Sequence, residues 1–286
     1  ARITQSKFPL LSTNIYETAT GLRPRWLPGD GTTIIERKGV KIGIVGLTTP
    51  QTPTTTLPVN VSTLKFAQLG PEAQLSAKRL RQRGADVVIA VVHAGAKCAD
   101  VHNQHDTSTC DVDVGEIFGM LKGLPEGTID AVVAGDTHMQ LNHLVNGTPV
   151  MQRLALGSYF GTMDLTIDPI AKHVIQERTQ INAAIPICET VDEATNSCDF
   201  RSAGVKPVSG DGVITRAATF HGHRIVPDPS LNEVMAPVEQ TVGQLQRRDL
   251  GLNVPEKLGR NFEDDSALGA WLADSLRDME NADIAL

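Results

Sequence analysis

Apolar and polar positions along this chain change period several times, and the changes mark out its elements. Residues 86–92 (DVVIAVV) and 130–134 (DAVVA) are apolar after a leading Asp, and each stops at a His or a Gly. Short continuous apolar runs bounded in this way predict strands buried on both faces. Residues 71–83 (PEAQLSAKRLRQR) predict a helix instead: Pro at the start, Glu in the first turn, basic residues in the last, and Gly84 beyond. Residues 33–37 and 40–47 are β-rich and flank Gly39 in an ERKGVK turn, the pattern of a hairpin. Strand 42–47, helix 71–83 and strand 87–92 then make a βαβ unit, which favours an α/β sandwich with parallel strands at its centre. A second helix, over residues 112–121, precedes the strand at 130–134, so the two apolar strands are expected to be neighbours.

Elsewhere the pattern is less regular. Residues 7–15 predict a short strand after Pro9, and 48–58 (TTPQTPTTTLP) predict a loop that its prolines keep out of regular helix. Asn146-Gly147 marks a hairpin turn, and 157–167 and 174–182 alternate as further strands of an antiparallel half. Residues 186–226 read as an extended excursion. A helix over 228–248 carries Val234, Val238, Val242 and Leu245 on one stripe, weakened by Pro237 and Gly243. Asp265-Ser266 caps another helix bearing Leu268, Leu272 and Leu276. The last four residues (DIAL) read as the opening of a buried strand, and with no initiator Met or signal peptide at the other end this predicts a piece of a longer protein.

Composition narrows the function. The net charge of −7, with no Lys/Arg cluster, argues against a nucleic-acid polymer as partner. No apolar run reaches the roughly 20 residues of a membrane-spanning helix. Four cysteines fall into two local pairs, Cys98 with Cys110 and Cys188 with Cys198, each bracketing a polar segment without zinc-knuckle spacing. They are either two loop-closing disulfides, which would place the protein in the periplasm or outside the cell, or four reduced thiols. The triplets beginning at Asn60 and Asn146 match the glycosylation pattern, which is too common to weigh.

The chemistry concentrates at two strand ends. Strand 87–92 runs into His93, Ala94 and Gly95, and strand 130–134 into Gly135, Asp136, Thr137 and His138. In parallel α/β sheets the carboxyl edge is where ligands collect. Imidazole and carboxylate together suit Zn, Mn or Fe, and a dinuclear centre activates water and clamps a phosphate. Three ligands are too few for two metals. The other reading of these side chains is as loop residues hydrogen-bonded to backbone.

The series GVKIGIVGLTTPQTP, ADVVIAVVHAG, IDAVVAGDTHMQ, VNGTPVMQ and LGSYFGTMDLTID resembles the calcineurin-like metallophosphoesterases. The likeness is greatest to their secreted 5′-nucleotidase, UDP-sugar hydrolase and 2′,3′-cyclic phosphodiesterase branch. It spans residues 7–182 and resumes at RIVPDPSLNEVMAPVEQTV and DDSALGAWLADSLRDMENADIAL. The resemblance implies a four-layer α-β-β-α sandwich over residues 1–226, a linker helix over 227–250, and over 251–286 the beginning of a C-terminal α/β substrate-binding domain. It implies hydrolysis of nucleotides or other phosphate esters with two divalent ions (Zn, Mn, Co or Fe). His93 and His138 match metal ligands, and Asp136 stands where the family's Gly-His-Thr/Ser-His/Gln/Asn motif has His. The family's Asp-x-His and Gly-Asn-His-Asp/Glu motifs, with the catalytic His, would precede Ala1. The nucleotide-holding Gly-Gly-x-Arg segment would follow Leu286, so the remaining parts of its own chain are an expected partner. His102, His105, His143, His221 and His223 match no family ligand and are expected on surfaces or loops. The alternatives are a non-catalytic fragment or binding module that keeps the fold, and a related metallohydrolase such as a thiosulfate-ester hydrolase.

Overall fold

The sheet begins at the Lys38-Gly39 turn, where both residues adopt left-handed backbone (φ 51° and 78°). That geometry matches the twist of the strands it joins, and it sets the register of the β2–β3 hairpin (Thr32–Arg37 and Val40–Thr48) described below. A computed structural model describes residues 2–193, 198, 215–254, 257–259, 261 and 264–285. In chain order the first elements are α1 (Arg2–Gln5), β1 (Ile15–Glu17), β2 (Thr32–Arg37) and β3 (Val40–Thr48). Then come α2 (Thr52–Thr55), α3 (Pro58–Val61), β4 (Leu64–Phe66), α4 (Leu69–Gln82) and β5 (Val87–His93). After α5 (Glu116–Lys122) follow β6 (Ala131–Val133), β7 (Leu141–Val145) and β8 (Thr148–Gln152). The chain forms two compact units, Ala1–Val226 and Pro227–Leu286.

Six strands of the first unit form one sheet in the order β2-β3-β5-β6-β8-β7. β3, β5, β6 and β8 are mutually parallel, and β2 and β7 join antiparallel at the edges. The two apolar strands are neighbours as expected, with Ile89 opposite Ala131 and Val91 opposite Val133. Their inward residues Val88, Ala90 and Val132 lie wholly buried with Val45 and Val150. α4 lays Ala73, Ala77 and Leu80 on the sheet, and α5 adds Ile117, Met120 and Leu121. Gly43 on β3 lets α4 come close: a methyl group there would lie 3.0 Å from Leu80 Cδ1 and 3.1 Å from Ala85 Cβ. This is the α/β layering the sequence implies.

Several expectations need correction. Residues 7–14 are not a strand; the segment is a strap whose exposed start leads into buried Ser12, Thr13 and Asn14 along the end of β3. Thr13 N donates to Gly46 O (2.8 Å), and the Asn14 amide bonds Thr48 O (2.6 Å), Thr48 N (2.9 Å) and Ala67 O (2.9 Å). A side chain supplies the pairing that a strand's backbone would have made. The Thr/Pro tract contains two single-turn helices, because Pro53 and Pro58 sit in first turns where a missing N–H costs nothing. The second helix starts at Glu116 rather than 112, and 157–167 breaks into two-residue strands at 159–160 and 163–164. His143 is no surface residue. It lies on β7 with no exposed area, and burial pushes its imidazole below the usual range. His102, His105, His221 and His223 are exposed.

In the second unit, α6 (Pro229–Gln246) is capped by the Asp228 carboxylate, which accepts from Ser230 N, and it continues through Pro237. α7 (Ala267–Glu280) starts at Ser266, whose hydroxyl accepts from Gly269 N. Of the final DIAL stretch, residues 283–285 join no strand and Leu286 lies outside the described residues, as do the Gly/Ser-rich part of the excursion at 199–214 and Arg260.

At the amino edge of the sheet Asp130 is buried and accepts from Val88 N (2.6 Å) and from the Arg81 guanidinium (2.6 Å). Burial dominates and pushes its carboxyl above the ordinary range. Removing Arg81 strands a buried carboxylate, whereas removing the charge of Asp130 leaves a guanidinium that still reaches water and the Ala85 and Asp86 carbonyls. Arg81→Met is therefore expected to lower the unfolding free energy by roughly 3 kcal/mol. Asp130→Asn should cost less, and urea denaturation of both variants checks that order.

Candidate functional site

Parallel strands end on one side, so the topology alone gathers Thr49 after β3, His93 at the end of β5, Asp136 after β6 and Gln152 at the end of β8. His93 pairs across from Thr48, and Thr49 N donates to the His93 carbonyl (2.9 Å). Two of the three candidate ligands meet: His93 Nε2 lies 3.2 Å from Asp136 Oδ1. Donors at that spacing can share one divalent ion, since metal–nitrogen and metal–oxygen bonds of about 2.1 Å place neighbouring ligands about 3 Å apart. His138 does not complete a tight triple. Among the described residues the one set of three metal-competent groups with ligand atoms within 4.8 Å of one another is Cys98, Cys110 and His143. The donor set at the strand ends thus fits part of one metal's shell.

The loop carrying Asp136 and His138 is held in a costly conformation. Both residues have left-handed backbone, φ 76° and 59°, which for side-chain-bearing residues costs of order 1–3 kcal/mol each and persists where surroundings over-determine it. The restraint is Thr137 between them. Its hydroxyl donates to Ala96 O (2.9 Å) and accepts from Gln152 Nε2 (2.7 Å), which also donates to Met139 O (2.7 Å). Gly135 N adds a bond to Ala94 O (3.1 Å). The loops after β5, β6 and β8 are laced together. Gly95 is the residue that lets them touch: a methyl group there would collide with Gln152 Oε1, the Gly135 carbonyl and Thr137 Oγ1.

A further carboxylate stands beside the pair. Glu116, the first residue of α5, is partly buried, and the Thr49 hydroxyl lies 2.7 and 2.8 Å from its two oxygens. Burial pushes its carboxyl above the usual range. The Thr49 hydrogen bond opposes that, the negative Asp136 adds to it, and His93 works against it. Sequence reasoning missed Glu116 because it belongs to a helix start with no motif of its own. Gln152 was missed because the residues around the Asn146-Gly147 turn read as part of an antiparallel half, whereas β8 pairs in parallel with β6 and so ends on the edge where His93 falls. Cys98 pairs with Cys110 and Cys188 with Cys198 as disulfides, and no free cysteine remains among the described residues.

Gly95→Ala is expected to cost roughly 1–3 kcal/mol of stability through forced overpacking. Gly119→Ala in α5, where an added methyl meets nothing within 4 Å, should instead stabilise by up to about 1 kcal/mol. Urea midpoints of the two variants decide this. Glu116 gives a pH-dependent expectation. A carboxyl raised in the folded state contributes stability below the ordinary glutamate range that is lost as pH rises through the raised value. Glu116→Gln should therefore be at least as stable as the parent at neutral pH. The gap should close on acidification toward about pH 4.5, near the ordinary glutamate pKa, as read from urea midpoints across that window.

No family model matches the chain. It is 27% identical over 254 residues to protein UshA of Yersinia enterocolitica, covering 82% of this chain and 40% of that one. Its fold is similar to a 5′-nucleotidase precursor from Thermus thermophilus, with a TM-score of 0.56 and 16% identity, over 98% of this chain and 47% of the other. It is also similar to the calcineurin-like phosphoesterase YfkN from Bacillus subtilis, with a TM-score of 0.53 and 17% identity, over 86% and 66%. The chain spans less than half the length of the UshA and 5′-nucleotidase relatives it matches. By sequence the chain is similar to proteins named UshA and 5′-nucleotidase, and by fold it is similar to solved structures of a 5′-nucleotidase precursor and a calcineurin-like phosphoesterase.

Proposed function

We propose that the protein carrying this chain hydrolyses phosphate esters, nucleotides foremost, as a phosphomonoesterase of the 5′-nucleotidase type with two divalent ions (Zn, Mn, Co or Fe). The observation that carries the reading is the approach of His93 Nε2 to Asp136 Oδ1, 3.2 Å apart at the carboxyl edge of a parallel sheet. Divalent ions in such a centre activate water and neutralise the charge that develops on a transferring phosphoryl group. The part of this chain is ligation and placement. His93 offers an imidazole nitrogen, Asp136 a carboxylate oxygen, and His138 a second imidazole from the same loop. Thr137 and Gln152 keep that loop in its left-handed turn, and Glu116 supplies a carboxylate that Thr49 holds at the side.

Two disulfides support a periplasmic or extracellular location, where such bonds persist, and no helix among the described residues is long and apolar enough to cross a membrane. On the same reading α6 serves as a linker helix over 227–250, and α7 belongs to a substrate-binding domain.

The test is phosphate release from AMP by the full-length protein, with and without added Mn, Co or Zn. Release should depend on the metal. His93→Ala and Asp136→Ala should each lower kcat/KM by about a hundredfold or more, the scale on which removing one electrostatic contact to a transition state is felt. Metal-independent release, or none from the intact protein, would sink the reading and favour a binding module that keeps the fold.

A further inference from the structure

The 98–110 loop carries a second cluster that the strand-end chemistry does not use. The sulfur atoms of Cys98 and Cys110 and one ring nitrogen of His143 lie within 4.8 Å of one another. Cys98 and His143 are buried, and Cys110 is partly so. His143 comes from β7, so the three converge from separate parts of the chain. Nδ1 of His143 is buried with no partner at hydrogen-bond distance, the neighbour of Nε2 is Cys110 Sγ at 4.0 Å, and the backbone of Asp100 and Asp106 in the same loop also faces the ring. A buried polar atom left without a partner calls for an explanation.

We propose that reduction of the Cys98–Cys110 disulfide opens a Cys2His site for a thiophilic divalent ion of the zinc class, with Cys98, Cys110 and His143 as ligands. A dithiol reductant supplies two electrons and two protons; the S–S bond breaks, two thiols form, and the reductant leaves as its own disulfide. Binding the ion then displaces both thiol protons, forming two metal–sulfur bonds and one bond to an imidazole lone pair, with water in the fourth position. Zinc–sulfur bonds near 2.3 Å and zinc–nitrogen bonds near 2.0 Å place tetrahedral ligands about 3.5–3.8 Å apart; Cys110 Sγ and His143 Nε2 are close to that at 4.0 Å, and the two sulfur atoms move apart once the S–S bond breaks. Thiolate and imidazole are the donors that zinc prefers, and three protein ligands with one open position is a known zinc pattern.

The loop does not depend on the disulfide alone for its shape. Ala99 N donates to Thr109 O (3.1 Å), Asp111 N to Lys97 O (2.9 Å) and Lys97 N to Asp111 Oδ1 (2.8 Å). Leu144 N, next to His143, donates to Gln104 O (2.8 Å), tying the loop to β7. The scaffold that brings the ligands together thus has supports that reduction leaves in place. Re-oxidation would expel the ion, so occupancy would report the thiol–disulfide balance around the protein.

The experiment uses the full-length protein with Cys188→Ser and Cys198→Ser, which removes the other disulfide. Reduced protein is titrated with cadmium(II), and the sulfur-to-cadmium charge-transfer absorption is followed, with near-ultraviolet circular dichroism as the check on folding. The sulfur-to-cadmium band should saturate at one equivalent in the reduced protein and be absent from the oxidised protein. His143→Gln should keep the fold and weaken binding at least tenfold, since even outer-shell partners of metal ligands matter by that factor. Absence of the band in folded reduced protein would overturn the proposal. So would equal affinity in His143→Gln, which would mark simple dithiol chelation, or collapse of the fold on reduction. If the Ser variants do not fold, alkylation mapping of the reduced parent replaces them. Zinc should protect Cys98 and Cys110 but leave Cys188 and Cys198 reactive, and equal reactivity of all four would refute the site.

Discussion

The hydrogen-bond chain from Gln152 through Thr137 to Ala96 is the constraint on which the candidate active site rests. Gln152 ends β8, Thr137 follows β6 and Ala96 follows β5, so one relay joins three successive parallel strands beyond the point where ladder bonds stop. Together with the bonds from Thr137 N to Gly135 O and from Gly135 N to Ala94 O, it keeps Asp136 and His138 in left-handed backbone, a conformation that residues with side chains avoid. With it, Thr137 turns inward to the relay. The glycine at 95 is the steric condition for the arrangement, since any side chain there would occupy the space the relay needs. Backbone strain and a missing Cβ are thus two sides of one device.

A similar economy governs the rest of the sheet. At the amino edge, Asp130 is buried and answers both the Val88 amide and Arg81, locking the entry of β6 to β5 and to the end of α4. At the carboxyl edge, Asn14 uses one side-chain amide to close the end of β3 against β4 and its own strap. Between these polar locks the interior is small and branched, Val and Ala on the strands with Leu and Ile from the helices. Directional groups hold the ends and apolar packing fills the middle, and the pair of exposed His93 and partly buried Asp136 is left on a rigid rim. Preorganised groups of that kind are what an electrostatic catalyst requires.

How much of this the residues announced differs by element. The parallel core was legible because the apolar run 87–92 has no polar residue to face water, although Val91 and its neighbour Val133 remain exposed on one face. The hairpins at Lys38-Gly39 and Asn146-Gly147 were legible because left-handed turns favour Gly39, Asn146 and Gly147. The strap at 7–14 was misread: its apolar and β-favouring residues imitate a strand, while its bonds run through the Asn14 side chain, which periodicity does not register. His143 was misread because a lone imidazole on an alternating strand carries no sign of which face is buried.

By itself the sequence determined the alternation of strands and helices, the two His-bearing strand ends and the grouping of the cysteines into two local pairs, because each is a local pattern with a local physical cause. Only the tertiary structure decided that His93 and Asp136 meet while His138 does not close into a tight triple with them. It also brought Glu116 and Thr49 to that edge and set His143 against a disulfide from another loop. Those facts depend on register, loop trajectory and the direction of single side chains. They are properties of packed neighbours distant in sequence, and no spacing along the chain encodes them.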